Sequence, residues 1–379
     1  MIYLIGGSGG PNYGDELIIK FWIDFISNKY PNISIIAESN IPSNSREFHN
    51  KYKNVIFINS ILKISKNVNK LSFWEQVQRG KTFFERNGQD IYDKYDIYFH
   101  IFNNIDILHI HGGGYMRGTK NENSGFLLGI AAALKEKYNS KIVATGLGLM
   151  PLNKPPEELR KLAQQVIDSF DLFECRDSES YSIIKSFCQS ENVVNGLDDN
   201  FLASKESIKW QHTAYEGIKK LHLSFSQYTL SKFNRDFWDS LKKYAEKFDK
   251  VLFWESSPFK DKKVIDLLSQ KIENLETVKV KDLVYKGAPV NEGDYMISGR
   301  FHPHFIASRL GAYGYFYSFD KYYDIKHSSV LKCGSVFKKL SSETVLEKNT
   351  KELSDIFHND AKLHKNKLEI TNQIYSELE

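Results

Sequence analysis

Residues 1–16 read MIYLIGGSGGPNYGDE: a short apolar run, a glycine-rich stretch and an acidic helix start. The run 1–5 is typical of a buried strand in a parallel sheet. The glycines let backbone N–H groups approach an anion at the N-terminus of the next helix. Asp15 fits an N-cap or a first-turn acid that complements the helix dipole. The stretch therefore predicts the strand–loop–helix unit that opens an α/β fold.

The same alternation continues along the chain. Candidate strands lie at 33–37, 55–58, 105–110, 141–145 and 171–174, and a second series lies at 221–225, 250–254, 277–280, 295–298 and 313–317. The predicted helices are 15–28, 125–138, 156–169, 236–248 and 262–273. Alternating strands and helices predict parallel sheets. Two series predict two α/β domains, and a cleft between domains is a favoured ligand site.

The predicted division has an N-terminal domain at 1–205, a linker at 206–219, a C-terminal domain at 220–341 and a helical tail at 342–379. The tail is polar with spaced apolar residues, so it is interpreted as a long helix with a break near His358-Asn359-Asp360. The Lys- and Asn-rich segment 60–89 is interpreted as a helical excursion.

Composition excludes several classes of protein. The 379 residues are 41% hydrophobic and 26% charged, which are ordinary globular values, so disorder is not expected. A net charge of +4 is too small to imply nucleic acid, although it allows peripheral contact with an anionic membrane surface. Neither an apolar stretch of 18 residues nor a signal-peptide pattern is seen, so a cytoplasmic location is expected. Three cysteines without CxxC spacing fit a reducing compartment.

The glycine-rich loop raises a rival interpretation. The stretch GSGGPN at 7–12 lacks the final glycine of GxGxxG, so it is not a clean dinucleotide fingerprint. Glu38, near the end of the second strand, stands where a ribose-binding acid would be. A nicotinamide oxidoreductase is therefore an alternative.

Two further turns follow predicted strands. The triple glycine after His111 leaves room for a ligand against bare backbone, and the alternative is a tight turn with a half-buried histidine. Arg176, at the start of RDSES, is a candidate anion-binding residue. A structural Arg–Asp pair that holds the loop is an equally good interpretation.

The segment 298–311, SGRFHPHFIASRLG, is the most informative. Pro303 suits the first position of a helix, and Gly311 suits the residue after its end. Arg300 and His302 would then lie in the turn at a helix N-terminus. A guanidinium, an imidazole and the helix dipole together attract an anion.

Two alternatives compete at this segment. His302 and His304 are candidate metal ligands, but no carboxylate or cysteine is adjacent, and a metal site needs three or four ligands. Both histidines can also simply cap the helix.

Taken in order, these segments resemble the polysaccharide pyruvyl transferase family. Asn12-Tyr13-Gly14-Asp15-Glu16 is similar to its N-x-G-D-E/A element, and Arg300-Phe301-His302 matches its R-x-H signature. Four more segments resemble family patterns between these two: His111-Gly112-Gly113-Gly114 its triple-glycine turn, Gly146-Leu147-Gly148-Leu149-Met150-Pro151 its G-x-G-x-x-P segment, Arg176-Asp177-Ser178-Glu179-Ser180 its R-D-x-x-S pattern, and Asp199-Asn200-Phe201 its D-x-A-F turn. Pro303 and Asn200 depart from the residues usual in the family.

The resemblance implies two Rossmann-like domains facing a cleft, as in GT-B glycosyltransferases, with a C-terminal helix that packs back across it. It implies transfer of a pyruvyl group from phosphoenolpyruvate, forming a ketal on a sugar of a cell-surface polysaccharide or its precursor. The predicted catalytic residues are His302, Asp15 and Glu16. The predicted substrate-binding residues are Arg300, Arg176, His111, Gly113, Gly114, Asn12 and His304.

No cofactor and no metal are expected besides phosphoenolpyruvate as donor substrate. The acceptor is expected to be a sugar, with a lipid-linked form allowed. A homo-oligomer and peripheral contact with the inner face of the cell membrane are compatible with the sequence, and nucleic acid is not an expected partner. A GT-B glycosyltransferase using a nucleotide sugar and a non-catalytic glycan-binding protein are the alternatives.

Overall fold

The computed structural model describes all residues except 69, 87–97, 119–122, 212–214, 216, 342–343, 345, 348–353 and 379. The chain forms two compact units. Unit 1 contains Met1–Gly10, Ile18–Leu202 and Lys367–Glu379, and unit 2 contains Pro11–Leu17 and Ala203–Asn366. Compared with the sequence-based division, residues 203–205 and the predicted linker 206–219 fall within unit 2. The segment Pro11–Leu17 belongs to unit 2, and the end of the tail belongs to unit 1.

Unit 1 is built on a seven-stranded sheet in which every pairing is parallel, with the order β3-β2-β1-β4-β5-β6-β7. Its strands are β1 Ile2–Ile5, β2 Ile35–Glu38, β3 Val55–Ile58, β4 Ile107–Ile110, β5 Lys141–Leu147, β6 Leu172–Cys175 and β7 Val193–Asn195. Its α-helices are Pro42–Phe48, Ile61–Ser65, Phe73–Lys81, Phe83–Arg86, Ser124–Tyr138, Glu157–Asp168 and Ser178–Lys185. Strand order reverses between β1 and β4, and ligands bind at such switch points in doubly wound sheets.

Unit 2 repeats the plan with six parallel strands in the order β10-β9-β8-β11-β12-β13. They are β8 Lys220–Ser224, β9 Lys250–Trp254, β10 Leu275–Val278, β11 Tyr295–Ser298, β12 Tyr313–Phe316 and β13 Lys338–Lys339. The helices are Lys205–Ile208, Gln227–Leu230, Arg235–Ala245, Pro258–Ser269, Val280–Tyr285, Phe301–Arg309 and Lys321–Lys332. The switch point lies between β8 and β11.

Two long helices contribute residues to both units: Tyr13–Lys29 near the N-terminus and Ser354–Tyr375 near the C-terminus. Short 3₁₀ helices lie at Lys66–Val68, Asp199–Leu202 and Ser376–Leu378. Each sheet has its own apolar core. Within the described parts of the chain, no helix combines the length and apolarity needed to cross a membrane.

The prediction of two Rossmann-like α/β domains is confirmed, and three details are corrected. Strands β7 and β13 were not predicted, because they have only three and two residues and β13 is two exposed lysines. The helix expected to start at Pro303 begins two residues earlier, although Gly311 does follow its last residues, in the left-handed conformation with φ +88°. The expected break at 358–360 is absent, because the helix Ser354–Tyr375 continues through it.

Candidate functional site

In unit 2, the turn after β11 is held by its own side chains. Gly299 follows the strand, and Arg300 is the N-cap of the helix Phe301–Arg309 with an extended backbone. The Ser298 hydroxyl donates to the Arg300 carbonyl at 2.8 Å and accepts from the Arg300 N–H at 3.0 Å. Arg300 therefore stands at the carboxyl edge of the sheet, beside the switch point, where the N-terminus of the helix attracts negative charge.

Arg300 forms an ion pair with Asp261, a residue that sequence reasoning did not identify. Asp261 is fully buried, and its Oδ2 accepts the backbone N–H groups of Ser256 and Ser257 at 2.8 and 2.7 Å. Burial raises the pKa of the Asp261 carboxyl, and the adjacent guanidinium acts against that shift. The predicted helix began at residue 262, so Asp261 lay outside it, although it lies four residues after Ser257, the N-cap of the observed helix.

The imidazole of His302 lies directly against Gly14. A Cβ added to Gly14 would lie 1.6 Å from His302 Nδ1, so only glycine fits there. The N–H of Tyr13 donates to the Ser256 carbonyl at 2.8 Å, which fixes the start of that helix. Two segments almost 300 residues apart in sequence, N-x-G-D-E and R-x-H, thus meet within unit 2.

The other predicted site residues of the N-x-G-D-E segment differ in their contacts and in their burial. Asn12 caps the helix, because its Oδ1 accepts the Gly14 N–H at 3.2 Å. Asp15 is half-buried and lies in the same first turn as Gly14. Glu16 has only 1% of its surface exposed, which argues against its predicted role as a base that reaches a substrate hydroxyl.

His304 does not belong to this site. It is fully buried, its Nδ1 lies 2.9 Å from His327 Nδ1, and its Nε2 lies 2.9 Å from the Ser335 hydroxyl. Its ring stacks on Phe316. The predicted substrate contact of His304 is therefore corrected to an internal packing role. Among the residues that the structure describes, no three His, Cys, Asp or Glu side chains form a metal-binding group.

In unit 1, the triple-glycine turn lies at the switch point between β1 and β4. The ring of His111 covers Gly6 so closely that a Cβ there would lie 1.8 Å from the imidazole. Burial lowers the pKa of His111 to about 4, which keeps the ring neutral near pH 7. Gly112 donates its N–H to Asp199 at 2.6 Å, and Gly113 bridges to Leu147 of β5. Gly114, the last glycine of the turn, follows directly.

The R-D-x-x-S segment holds neighbouring loops together. Arg176 donates to Asp198 at 3.0 Å, with 2% and 6% of the two side chains exposed, and its guanidinium lies against Gly148. Asp177 caps the helix Ser178–Lys185 by accepting the Ser180 N–H. The Ser180 hydroxyl accepts the Leu149 N–H at 2.9 Å. The structural interpretation of Arg176 is thus the one that the geometry favours, with Asp198 as its partner.

A buried charge cluster in unit 1 was not foreseen. The Lys367 ammonium pairs with Glu174 and with Asp199 at 2.6 Å, and all three side chains are fully buried. Although burial acts in the opposite direction, Lys367 lowers the pKa of Asp199 to about 2. Asp199 also accepts hydrogen bonds from Trp22 at 3.0 Å and Thr145 at 2.9 Å. The only sequence signal was a lysine on the apolar stripe of the tail.

The surroundings of Glu38 argue against the nicotinamide oxidoreductase alternative, which needs this carboxylate to bind a ribose. It is buried, and it accepts hydrogen bonds from Tyr3 at 2.5 Å, from the Ser60 hydroxyl at 2.6 Å and from the Ile61 N–H at 2.7 Å. A carboxylate satisfied in this way cannot bind a ribose.

Comparison with solved structures supports the fold. The chain is similar to S. aureus MnaA in its co-structure with UDP, at 12% identity and a TM-score of 0.53, over 100% of this chain and 96% of that one. It is similar to UDP-GlcNAc 2-epimerase from Neisseria meningitidis bound to UDP-GlcNAc, at 12% identity and a TM-score of 0.52, over 99% of both chains. It is also similar to Anabaena Alr3699/HepE in complex with UDP-glucose, at 10% identity and a TM-score of 0.51, over 100% and 98%. At these identities the likeness shows the fold alone, a two-domain Rossmann-like fold of the GT-B kind.

No curated protein matches the sequence significantly. The family profile described as polysaccharide pyruvyl transferase matches residues 12–315, from the N-x-G-D-E segment to just beyond the R-x-H segment. A match over most of the sequence, including the two segments that meet around Gly14, establishes that the chain belongs to the polysaccharide pyruvyl transferase family.

Proposed function

We propose that the protein transfers a pyruvyl group from phosphoenolpyruvate to two hydroxyls of a sugar in a cell-surface polysaccharide or its precursor. The observation that carries the proposal is the joint placement of Arg300 and His302 at a helix N-terminus, with Gly14 against the imidazole. An anionic donor suits a guanidinium at the positive end of a helix. Family membership supports the same reaction class.

The proposed reaction forms a ketal. A proton adds to C3 of phosphoenolpyruvate, which becomes the methyl group and leaves oxocarbenium character at C2. One sugar hydroxyl forms a bond to C2, the bond between C2 and the phosphate oxygen breaks, and a second hydroxyl closes the ring. The two hydroxyl protons balance the one taken up by C3 and the one carried away by phosphate. The steps require an acid, a base and fixed positive charge for the donor.

We assign these roles to residues of unit 2. Arg300 holds the carboxylate or phosphate of the donor, because its planar guanidinium binds such groups with two parallel hydrogen bonds. His302 transfers protons, because an imidazole can donate a proton from one ring nitrogen and accept one at the other. Asp15, half-buried in the same first turn as Gly14, is the proposed base for an acceptor hydroxyl. No step in this scheme calls for a metal or a further cofactor.

The cellular setting follows from the proposed substrate. The acceptor is a sugar that a membrane lipid can carry, and the protein works in the cytoplasm with peripheral contact at the inner face of the membrane. Its charge of +4 favours loose, salt-sensitive contact with anionic lipid. Homo-oligomers are compatible with this role.

Ligand-induced thermal shift separates this function from the nucleotide-sugar alternative. Phosphoenolpyruvate should raise the melting temperature of the wild type, because a ligand that binds only the folded state stabilises it. The Arg300→Lys variant should lose most of this shift. A shift with UDP or UDP-sugars but none with phosphoenolpyruvate would favour a glycosyltransferase instead.

A further inference from the structure

We propose that Asp261 is a positioning residue that aims Arg300 at the donor and at the same time fixes the segment behind His302. The inference rests on the proposed function for its kinetic consequences.

The two carboxylate oxygens of Asp261 have different hydrogen-bond partners. Oδ2 accepts the N–H groups of Ser256 and Ser257 at 2.8 and 2.7 Å, and Oδ1 accepts from Nη2 of Arg300. Asp261 is fully buried and Arg300 is 13% exposed on its side chain. A guanidinium held this way has little rotational freedom left to lose when an anion binds, and preorganisation of that kind favours affinity.

The pairing leaves part of the guanidinium for a ligand. The Nε atom of Arg300 is buried and has no hydrogen-bond partner among the residues that the structure describes. An unsatisfied buried donor is costly, and an incoming carboxylate or phosphate oxygen satisfies it. Asp261 therefore binds Nη2 of the guanidinium and leaves Nε–H for the donor.

The same carboxylate supports the other half of the site. Ser256, held by Asp261, accepts the Tyr13 N–H through its carbonyl at 2.8 Å. Tyr13 precedes Gly14, whose bare backbone receives the ring of His302. The contacts of Asp261 thus lead to both residues of the R-x-H signature.

The variant Asp261→Asn separates these roles. The amide has the shape of the carboxylate, so its oxygen can keep both backbone N–H groups while its NH₂ faces the guanidinium, donor against donor. We expect the KM for phosphoenolpyruvate to rise about tenfold, with a smaller change in kcat, because the guanidinium loses its charge-assisted hydrogen bond to Asp261 and is no longer held in place for the donor. Asp266→Asn on the same helix, which removes an exposed carboxylate paired with Lys262 at 3.2 Å, is the matched control and should leave both constants unchanged.

A double-mutant cycle tests whether Asp261 acts through Arg300. If it does, adding Asp261→Asn to Arg300→Met, which removes every group of Arg300 that could pair with Asp261, should raise the donor KM by less than threefold beyond Arg300→Met itself. Fully multiplicative effects, or an unchanged donor KM in Asp261→Asn, would overturn the proposal. Should Asp261→Asn not fold, Asp261→Ser takes its place in the cycle, because a hydroxyl can still accept one backbone N–H.

A second readout does not depend on the activity. Phenylglyoxal modifies exposed, mobile guanidinium groups, and peptide mass spectrometry locates the modified residue. Arg300 should be modified several times faster in Asp261→Asn than in the wild type or in Asp266→Asn. An equal rate would overturn the positioning role even if phosphoenolpyruvate is the donor. A faster rate in a protein that does not use phosphoenolpyruvate would keep the role and reject the proposed function.

Discussion

At the scale of single residues, Arg300 and His302 are the central side chains of the candidate site, and a neighbouring residue fixes the position of each. A buried carboxylate holds Arg300, and the absence of a side chain at Gly14 makes room for His302. The R-x-H pattern identified Arg300 and His302 from the sequence. Their partners could not be predicted, because Asp261 comes next to Arg300, and Gly14 next to His302, only in the folded chain.

Arg300→Lys should impair donor use without unfolding the protein. Lysine keeps the charge and can still pair with Asp261, but it lacks the planar group that binds a carboxylate or phosphate with two parallel bonds. One charge-assisted hydrogen bond is worth about 1.5–3 kcal/mol, so kcat/KM for phosphoenolpyruvate should fall about ten- to a hundredfold. Donor-dependent phosphate release and a melting curve measure the two effects. Near-normal kcat/KM, or a loss explained by unfolding, would remove Arg300 from the donor site.

Gly14→Ala should displace the His302 ring, because the new Cβ would lie 1.6 Å from Nδ1. We expect turnover to fall about as far as in His302→Ala, together with a destabilisation of about 1–3 kcal/mol from overpacking. In a His302→Ala background the ring is gone, so Gly14→Ala should cost little further stability. Urea unfolding of the wild type, of Gly14→Ala, of His302→Ala and of the double variant gives the four free energies of unfolding. An equal cost of Gly14→Ala in both backgrounds would show that the two residues are not in contact.

At the scale of secondary-structure elements, the C-terminal helix Ser354–Tyr375 differs most from its prediction. The sequence predicts an amphipathic helix from its spaced apolar residues. Two of its charges are nevertheless buried: Asp360 pairs with Arg309 at 2.5 Å in unit 2, and Lys367 pairs with Asp199 at 2.6 Å in unit 1. A lysine or aspartate on a helix is usually solvated, so its pattern alone cannot reveal a partner far away in sequence.

Lys367→Met should destabilise unit 1. The change leaves Glu174 and Asp199 buried side by side without their cation, and removing one partner of a buried ion pair typically costs about 3–5 kcal/mol. Chemical denaturation gives the change in the free energy of unfolding. Lys362→Met, which changes an exposed lysine of the same helix, is the control and should cost less than about 0.5 kcal/mol. Equal stability of both variants would contradict the role given to Lys367.

At the scale of the whole molecule, the fold class could be read from alternating strand and helix patterns because both sheets are parallel and their strands are apolar. Only part of the candidate site could be predicted from the sequence. A motif residue proposed to bind the donor and a motif residue that holds loops look the same in sequence, as His302 and Arg176 do. Burial separates them: His302 is half-buried, whereas Arg176 is buried on Asp198.

Buried neutral histidines should make the molecule sensitive to mild acid. Burial lowers the pKa of His109 to about 3, of His111 to about 4 and of His327 to about 3. The unfolded chain binds protons at these positions below about pH 6.5, while the folded chain does not, so stability falls as pH falls from 7 to 5. Each histidine contributes a slope approaching about 1.4 kcal/mol per pH unit.

Urea unfolding at pH 7, 6 and 5 measures this slope. His111→Gln should reduce it, whereas His100→Gln, at an exposed position, should leave it unchanged. A free energy of unfolding that does not change between pH 7 and 5 would contradict the assignment of neutral buried rings.

One assay measures the proposed pyruvyl transfer and both of its products. The wild type is incubated with phosphoenolpyruvate and a panel of glycosides, free and lipid-linked, after chelation of divalent metal. Phosphate release and the mass of the acceptor are followed together, with Arg300→Lys as the comparison. We expect one phosphate released for each acceptor that gains a pyruvate ketal, and a rate at least tenfold lower in Arg300→Lys. Phosphate release without a modified acceptor would contradict this expectation. So would an acceptor that stays unmodified with phosphoenolpyruvate but gains a sugar in a parallel reaction with a nucleotide sugar.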